Sequence, residues 1–250
     1  MSETLSEHLG TSSNSQFASA SAPSVRDTFK YPHLETLPQP LKTFVQYLFK
    51  DMPSALVLLA DGTEEMEFTI TYDTLVRGGV RVTSAFVPDV TSAGATHINP
   101  PTTKGSRGIN IMPDMYFELS TCGPDIYDLL VIPGGAKGAE TMSRHPSVQE
   151  LVRRYIERNK FVGMICAGSL AAKTSKLPRQ PLTSHPSVKA ELEQDFDYRE
   201  DPVVISDNLI TSRGPGTAFP FALTLIEVLC GVDKREEVRG PMIFPAGTPF

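Results

Sequence analysis

Cys166 stands where an apolar run, Gly163-Met164-Ile165, meets a string of small residues, Ala167-Gly168-Ser169. A strand that turns sharply into a helix pushes the junction side chain out at the sheet edge. With cysteine at the junction, the pattern reads as a nucleophile elbow. Gly163 and Gly168 would spare so tight a turn its steric clashes. At a helix N-terminus the thiol is expected to fall below its usual pKa of about 8.5, because the dipole favours thiolate. Backbone N–H groups at the turn can hold an oxyanion. The same residues also suit a buried cysteine that merely ends a strand.

Three other features could join this thiol. Glu64, Glu65 and Glu67 open a helical stretch. Acidic residues complement the helix dipole there, with Asp61 or Thr63 as cap. That accounts for two of the three. A carboxyl aimed at the thiol could stay protonated, hydrogen-bond the thiolate and shuttle protons; spacing does not choose which glutamate that is. Pro133-Gly134-Gly135 ends an apolar run and could supply the second half of an oxyanion hole. His185, after Thr183-Ser184 and before Pro186, reads either as a structural histidine or as a base beside Cys166.

These residues need a scaffold, and the chain from Ser54 onward alternates strand with helix. Ala55–Ala60, Val80–Val87, Gly108–Met112, Tyr127–Ile132 and Phe161–Ile165 read as strands, with Val203–Ile205 and Leu209–Ser212 as a pair. Glu64–Arg77, Pro146–Arg158, Ala167–Ser175 and Phe219–Leu229 read as helices. Residues 88–106 read as a long loop rich in Pro, Gly, Ser and Thr. The alternation predicts parallel βαβ units in a three-layer α/β/α sandwich. In such sheets ligands bind beyond the carboxyl ends of the strands, where Asp61–Glu67, Pro133–Gly135 and Cys166 all fall. His-Pro-Ser-Val occurs at 145–148 and again at 185–188, two helix starts with Pro in the first turn.

The 250 residues allow one sizeable domain with an appendage. Net charge is −6, from 23 basic and 29 acidic residues, and no basic run occurs. Nucleic acid and anionic membranes are therefore not expected partners. Apolar runs are too short for a transmembrane helix. Cys122, Cys166 and Cys230 form neither a disulfide framework nor a CxxC zinc pair, which points to a reducing compartment. Residues 1–40 read as a disordered Ser/Pro-rich tail and linker without a secretory or mitochondrial leader. Leu41, Phe44, Val45 and Leu48 mark an amphipathic helix within 41–53 that docks on the domain or on a partner. The domain is expected over 54–244, with a short tail at 245–250.

Taken in order, Ala55–Ala60, Gly62-Thr63-Glu64-Glu65-Met66-Glu67, Pro133-Gly134-Gly135-Ala136-Lys137-Gly138-Ala139, Ile165-Cys166-Ala167-Gly168, His185-Pro186 and Thr211-Ser212-Arg213-Gly214-Pro215-Gly216-Thr217 resemble the DJ-one/PfpI superfamily. Within it they resemble the deglycase, or glyoxalase III-like, branch. The resemblance covers roughly 54–244 and implies a flavodoxin-like sandwich with a mostly parallel sheet, a homodimer and no metal or other cofactor. It implies Cys166 as nucleophile and Glu67 as the carboxyl facing it. Glu64 corresponds to an acidic residue near the pocket and dimer seam. Gly135 and Ala167, with Gly134 and Gly168 beside them, correspond to the oxyanion turns. His185 corresponds to a pocket histidine, Arg107 to an arginine contributed by the dimer partner, and Arg213-Gly214-Pro215 to a pocket wall. The chain departs from the branch at Met112, where it often has an oxidisable cysteine, at Ser169, where it usually has Pro, and in the greater length of loop 88–106.

The resemblance implies glutathione-independent conversion of a small dicarbonyl such as methylglyoxal, of the glyoxalase III or D-lactate dehydratase type. Early protein glycation adducts would use the same site, and a cytoplasmic location is expected, with nucleus or mitochondrion compatible. The competing reading is an oxidative-stress sensor or redox chaperone acting through Cys166 oxidation. A cysteine peptidase is disfavoured because Ala167, not His, follows Cys166. A glutamine amidotransferase is rejected because it needs a late His-x-Glu, and no histidine after Cys166 is followed by x-Glu.

Overall fold

The computed structural model describes residue 38, residues 52–89 and residues 101–248. The expected tail 1–40 (Pro38 apart), the amphipathic helix of 41–53 up to Asp51, the middle of loop 88–106 and the last two residues lie outside the described residues.

The core begins with β1 (Ser54–Leu59), whose residues Ala55–Leu59 are all fully buried. A strand apolar at every position is one covered on both faces. Then come α1 (Glu65–Arg77), β2 (Arg81–Phe86), β3 (Thr103–Lys104), β4 (Asn110–Ile111), β5 (Met115–Tyr116) and β6 (Leu129–Ile132). They are followed by α2 (Ala136–Arg144), α3 (Pro146–Glu157), β7 (Phe161–Ile165) and α4 (Leu170–Thr174). β8 (Pro181–Leu182), α5 (Lys189–Leu192), β9 (Asp197–Tyr198), β10 (Val203–Ser206), β11 (Leu209–Ser212), α6 (Ala218–Cys230) and α7 (Val232–Arg239) complete the chain.

Seven strands form one sheet in the order β10-β11-β7-β6-β1-β2-β5, and only β10 runs antiparallel. Counting the five long parallel strands alone, the order is second, first, third, fourth, fifth, the flavodoxin-like winding. The winding reverses between β1 and β6, so the loops after these strands part and leave a crevice. On one face α1 and α6 pack together, and on the other α3 covers β6 and β7, with α2 and α4 packed against it and α2 reaching β1. Gly163 belongs to this packing rather than to the elbow: a Cβ there would press on Phe221 at 3.0 Å and Leu225 at 3.2 Å. The expected α/β/α sandwich is the observed one.

Several elements differ from expectation. Ala167–Ser175 is not one helix: Cys166–Ser169 form a 3-10 turn, and α4 has five residues. The segment at Gly108–Met112 shortens to β4 and pairs with β3 in a separate hairpin rather than joining the main sheet. α2 was hidden by its glycines. Gly138 is required because a Cβ there would sit 2.6 Å from Thr63 N, so this helix lies tightly on the loop after β1. α7 was hidden by its charges, since Val238 is its single buried residue. Both His-Pro-Ser-Val stretches do start helical turns at their prolines.

Candidate active site

The loop after β1 assigns the three glutamates three different tasks. Glu64 is the N-cap of α1: its Oε2 accepts from Glu67 N at 2.8 Å. The cap is therefore neither Asp61 nor Thr63. Thr63 Oγ1 accepts from Ala60 N at 3.0 Å, and Asp61 Oδ1 from Lys104 N at 3.0 Å, so both stabilise the loop instead. Glu65 turns away from the crevice and clasps the β3–β4 turn. It accepts Arg107 N at 2.6 Å, Ser106 Oγ at 2.9 Å and Ile109 N at 3.3 Å. Burial raises its pKa, but these bonds, led by Arg107 N–H, outweigh it and hold the carboxyl below its ordinary value. Glu67, one helical turn into α1, has no exposed surface and points into the crevice.

Glu67 meets the loops after β6 and β7 there. Gly134 N donates to Glu67 Oε2 at 2.7 Å. Oε1 is buried and finds no N–H or O–H donor, and the Cys166 thiol is the remaining polar neighbour of this carboxyl. Burial pushes the Glu67 pKa up to about 7; the bonds from Cys166 and Gly134 oppose the rise, and the Glu64 charge adds to it.

Cys166 is 9% exposed and has φ +63°, a conformation uncommon outside glycine and costing on the order of 1–2 kcal/mol. The strained junction is the elbow foreseen in the sequence. Gly168 is its enabling glycine: a Cβ there would strike the Ile132 and Pro133 carbonyls. Gly168 thus packs the turn against the end of β6.

The expected lowering of the thiol pKa by a helix dipole does not hold, because a 3-10 turn and a five-residue helix follow Cys166. Burial, and then an ionised Glu67, push the thiol up to about 12, against the lowering effect of the Ala167 and Gly135 N–H groups. The two groups titrate as a pair. Burial raises both groups, and each ionisation opposes the other, so the pair gives up its first proton far more readily than its second. When Glu67 holds the remaining proton, it donates to the thiolate instead of repelling it, and the single negative charge then rests on sulfur.

The oxyanion assignments divide. Gly135 N–H and Ala167 N–H both address the sulfur. Gly135 has φ +85°, and a Cβ on it would collide with the Gly62 carbonyl. Gly134 is a correction: its N–H is committed to Glu67 and its carbonyl accepts from Glu64 N at 3.0 Å, so it builds the acid rather than an oxyanion hole.

His185 lies beside the elbow, with its Nδ1 engaged within its own turn. Its backbone N–H donates to the Cys166 carbonyl at 3.3 Å. Its Nδ1 caps the turn at 186–188, accepting from Ser187 N at 3.2 Å with Ser187 Oγ at 2.8 Å. An acceptor Nδ1 places the ring proton on Nε2 in the neutral tautomer. The ring edge faces Gly214, where a Cβ would be 3.5 Å from Cδ2.

β11 runs beside β7 with Ser212 opposite Ile165, so Arg213-Gly214-Pro215 leave the sheet next to Cys166. Thr217 Oγ1 shapes this wall, accepting from Arg213 N at 3.1 Å and Gly214 N at 3.0 Å. The Arg213 guanidinium points aside, with Nη1 donating to the Glu200 carbonyl at 2.8 Å. Arg107 is exposed, its Nη1 donating to the Ser106 carbonyl at 3.4 Å, and it forms no bond to Cys166 or Glu67 within the chain. Ser169 is fully buried and donates to the Thr183 carbonyl at 2.9 Å, a bond that proline could not make. Ser169 stands in the sequence only as a departure from the family pattern, and neither it nor Thr183 and Thr211 is marked there as bonded to the others; Thr211 Oγ1 accepts from Thr183 N at 2.9 Å.

Cys122 and Cys230 stand apart from this site. Burial pushes Cys122 up to about 11 and also raises Cys230, and all three thiols are unpaired. A cavity of about 380 Å³ lined by Met52, Pro53, Asp128, Lys160 and Phe161 opens at the opposite, amino-terminal edge of the sheet, away from this chemistry.

The chain is similar to known proteins. The glutathione-independent glyoxalase DJ-1 of Schizosaccharomyces pombe is 37% identical over 199 residues, which is 78% of this chain and all of that protein. Protein dj-1beta of Drosophila melanogaster is 40% identical, over 74% of this chain and 94% of its own length. The glutathione-independent glyoxalase DJR-1.2 of Caenorhabditis elegans is 35% identical, over 76% and 95%. Among solved structures, S. pombe DJ-1 superposes with a TM-score of 0.69 at 36% identity, covering 77% of this chain and all of that one. Drosophila DJ-1beta gives 0.68 at 38%, covering 78% of this chain and all of that one. The model of the DJ-1/PfpI family matches residues 53–228, a span that holds Glu67, Gly134, Cys166 and His185 on the winding described above, and the chain belongs to that family.

Proposed function

We propose that this protein is a glutathione-independent glyoxalase that converts methylglyoxal-type dicarbonyls to hydroxy acids, D-lactate in the case of methylglyoxal. The observation that carries the reading is a buried carboxyl with its pKa near 7 against a thiol on a strained elbow. Two similar proteins are named glutathione-independent glyoxalases, which supports it.

In the reactive form the pair carries one negative charge, as Cys166 thiolate and protonated Glu67. The thiolate adds to the aldehyde carbon, forming the C–S bond, and the new alkoxide lies toward the Gly135 and Ala167 N–H groups. Glu67 gives its proton to that oxygen and becomes a carboxylate. It then removes the hydrogen from the former aldehyde carbon to give an enediol, and returns it to the neighbouring carbon. The product is a thioester of the hydroxy acid. Water cleaves the C–S bond, releasing the acid and restoring the thiol. No electron leaves the system, so no redox cofactor enters. Early glycation adducts carry the same carbonyl chemistry and would use the same site.

The test is D-lactate formation from methylglyoxal without glutathione. Turnover by the wild type that is absent in Cys166→Ala supports the reading, and a wild-type rate no greater than that variant's rejects it.

A second role as an oxidation sensor is favoured by the two N–H groups and the Glu67 carboxyl around the sulfur, which suit a sulfinate. Intact mass after mild peroxide would show two added oxygens at Cys166, lost in Glu67→Gln.

The working unit in this reading is a homodimer in the cytoplasm. Met66, Val76, Ile109 and Met112 are exposed apolar residues, and Glu65 presents Arg107 outward on the clasped turn, which suits an arginine reaching the neighbouring protomer's pocket. The three unpaired thiols favour a reducing compartment. Among the described residues no helix is long and apolar enough to cross a membrane. The functional domain spans 54–244.

A further inference from the structure

Residues 183–185 link β8 to the turn that His185 caps, and four hydrogen bonds tie their backbone to elements beyond that turn. The Thr183 carbonyl accepts from Ser169 Oγ at 2.9 Å, and Thr183 N donates to Thr211 Oγ1 at 2.9 Å. The Ser184 carbonyl accepts from Tyr198 OH at 3.0 Å, and His185 N donates to the Cys166 carbonyl at 3.3 Å. Ser169, Thr183, Ser184 and Thr211 have no exposed surface.

Two of the four fasteners come from the elbow turn itself, at its first and last residues. Cys166 offers its carbonyl, and Ser169 offers the one hydroxyl on Cys166–Ser169. The elbow and the histidine segment are thus clamped at both ends of a single turn. The Thr211 bond extends the clamp to β11, the strand that leads into Arg213-Gly214. His185 has little freedom of its own, since Nδ1 is already engaged by Ser187. Where the ring sits is therefore set by the backbone at 183–185. Removing the Ser169 hydroxyl would leave a fully buried carbonyl without its donor, and the segment would shift to find another.

We propose that Ser169 is a positioning residue that, through the Thr183 carbonyl, holds His185 as a pocket wall beside Cys166 and against Gly214. The proposal rests on the glyoxalase reading for one of its two readouts only.

The experiment compares wild type, Ser169→Ala, Ser169→Thr, His185→Ala and the Ser169→Ala/His185→Ala double variant, with melting temperature as a check on folding. Misplacement of a pocket wall predicts a loss of about tenfold in kcat for Ser169→Ala. Ser169→Thr, which keeps the hydroxyl, restores it. In the His185→Ala background the same Ser169→Ala change costs less than about twofold, because residues acting through one another are not additive. An equal loss in both backgrounds, no loss in Ser169→Ala, or no rescue by threonine overturns the proposal. Should Ser169→Ala fail to fold, Thr211→Val unfastens the other end of the clamp and is judged by the same comparison. A wild type that forms no D-lactate rejects the glyoxalase reading and not this one. The rate of Cys166 alkylation by iodoacetamide then decides, with the same rescue and the same non-additivity required.

Discussion

Gly134 stands between Glu67 and Cys166. Its N–H donates to Glu67 Oε2 at 2.7 Å, and a Cβ on it would sit 2.5 Å from Cys166 Cβ and 2.7 Å from that same oxygen. The acid and the thiol meet because a residue without a side chain separates them. Gly134→Ala must push one group away from the other. It is expected to abolish methylglyoxal turnover and to destabilise the fold by about 1–3 kcal/mol, the usual cost of overpacking. Steady-state kinetics and urea unfolding check both effects.

Glu67→Gln keeps the shape and removes the proton traffic. Turnover should fall by about 10²-fold or more, the scale of a lost general acid–base group. Cys166 should still be alkylated by iodoacetamide, whereas Cys166→Ala loses both activities. Retention of full turnover in Glu67→Gln would remove Glu67 from the mechanism.

The raised pKa of Glu67 also has a thermodynamic sign. The carboxyl ionises near 4.5 when unfolded and near 7 in the protein. Between those values the folded state holds the extra proton, so stability is greatest below 4.5 and declines as pH rises through 7. Two and a half pH units, at about 1.36 kcal/mol each, bound the loss at about 3 kcal/mol. Urea midpoints at pH 5 and pH 8 should differ less in Glu67→Gln than in the wild type; an unchanged difference would contradict the assignment.

Glu64 can be probed in two ways. Glu64→Ala removes the cap of α1 and should cost about 1 kcal/mol of stability. Glu64→Gln keeps a capping oxygen but removes the charge that raises the Glu67 pKa. The acidic limb of the kcat/KM profile, set by the raised ionisation at Glu67, should therefore move to lower pH. A limb that stays in place would show that the two carboxyls are not coupled.

What could be read in advance follows from the range of the forces involved. The buried strand Ala55–Leu59 and the elbow at Cys166 are local patterns; the alternation of strand and helix implies the three-layer sandwich, and the flavodoxin-like winding came from the family resemblance. Which glutamate faces the thiol was not local, since it depends on how α1 lies over β6, and composition alone left Glu64, Glu65 and Glu67 equivalent. The thiol pKa was misjudged for the same reason. A dipole argument needs a helix of some length, whereas α4 is five residues long and the dominant influences are burial and Glu67. The roles of the Ser169 and Thr211 hydroxyls were not local either, because a buried hydroxyl is recognised by its partner, and Thr183, whose carbonyl and N–H they bond, lies 14 and 28 residues away.

The stitching of the β3–β4 hairpin to the loop after β1 bears on how this chain can vary. Val87 N is tied to Leu59 O at 2.6 Å on one side, and Gly62 N to Lys104 O at 2.7 Å on the other, with Glu65 clasping the turn beyond. The two ends of the intervening stretch are therefore moored separately to the rigid frame. Residues gained or lost between Asp89 and Pro101 need not disturb the thiol or its acid, so evolution can change the length of that stretch while the chemistry stays fixed.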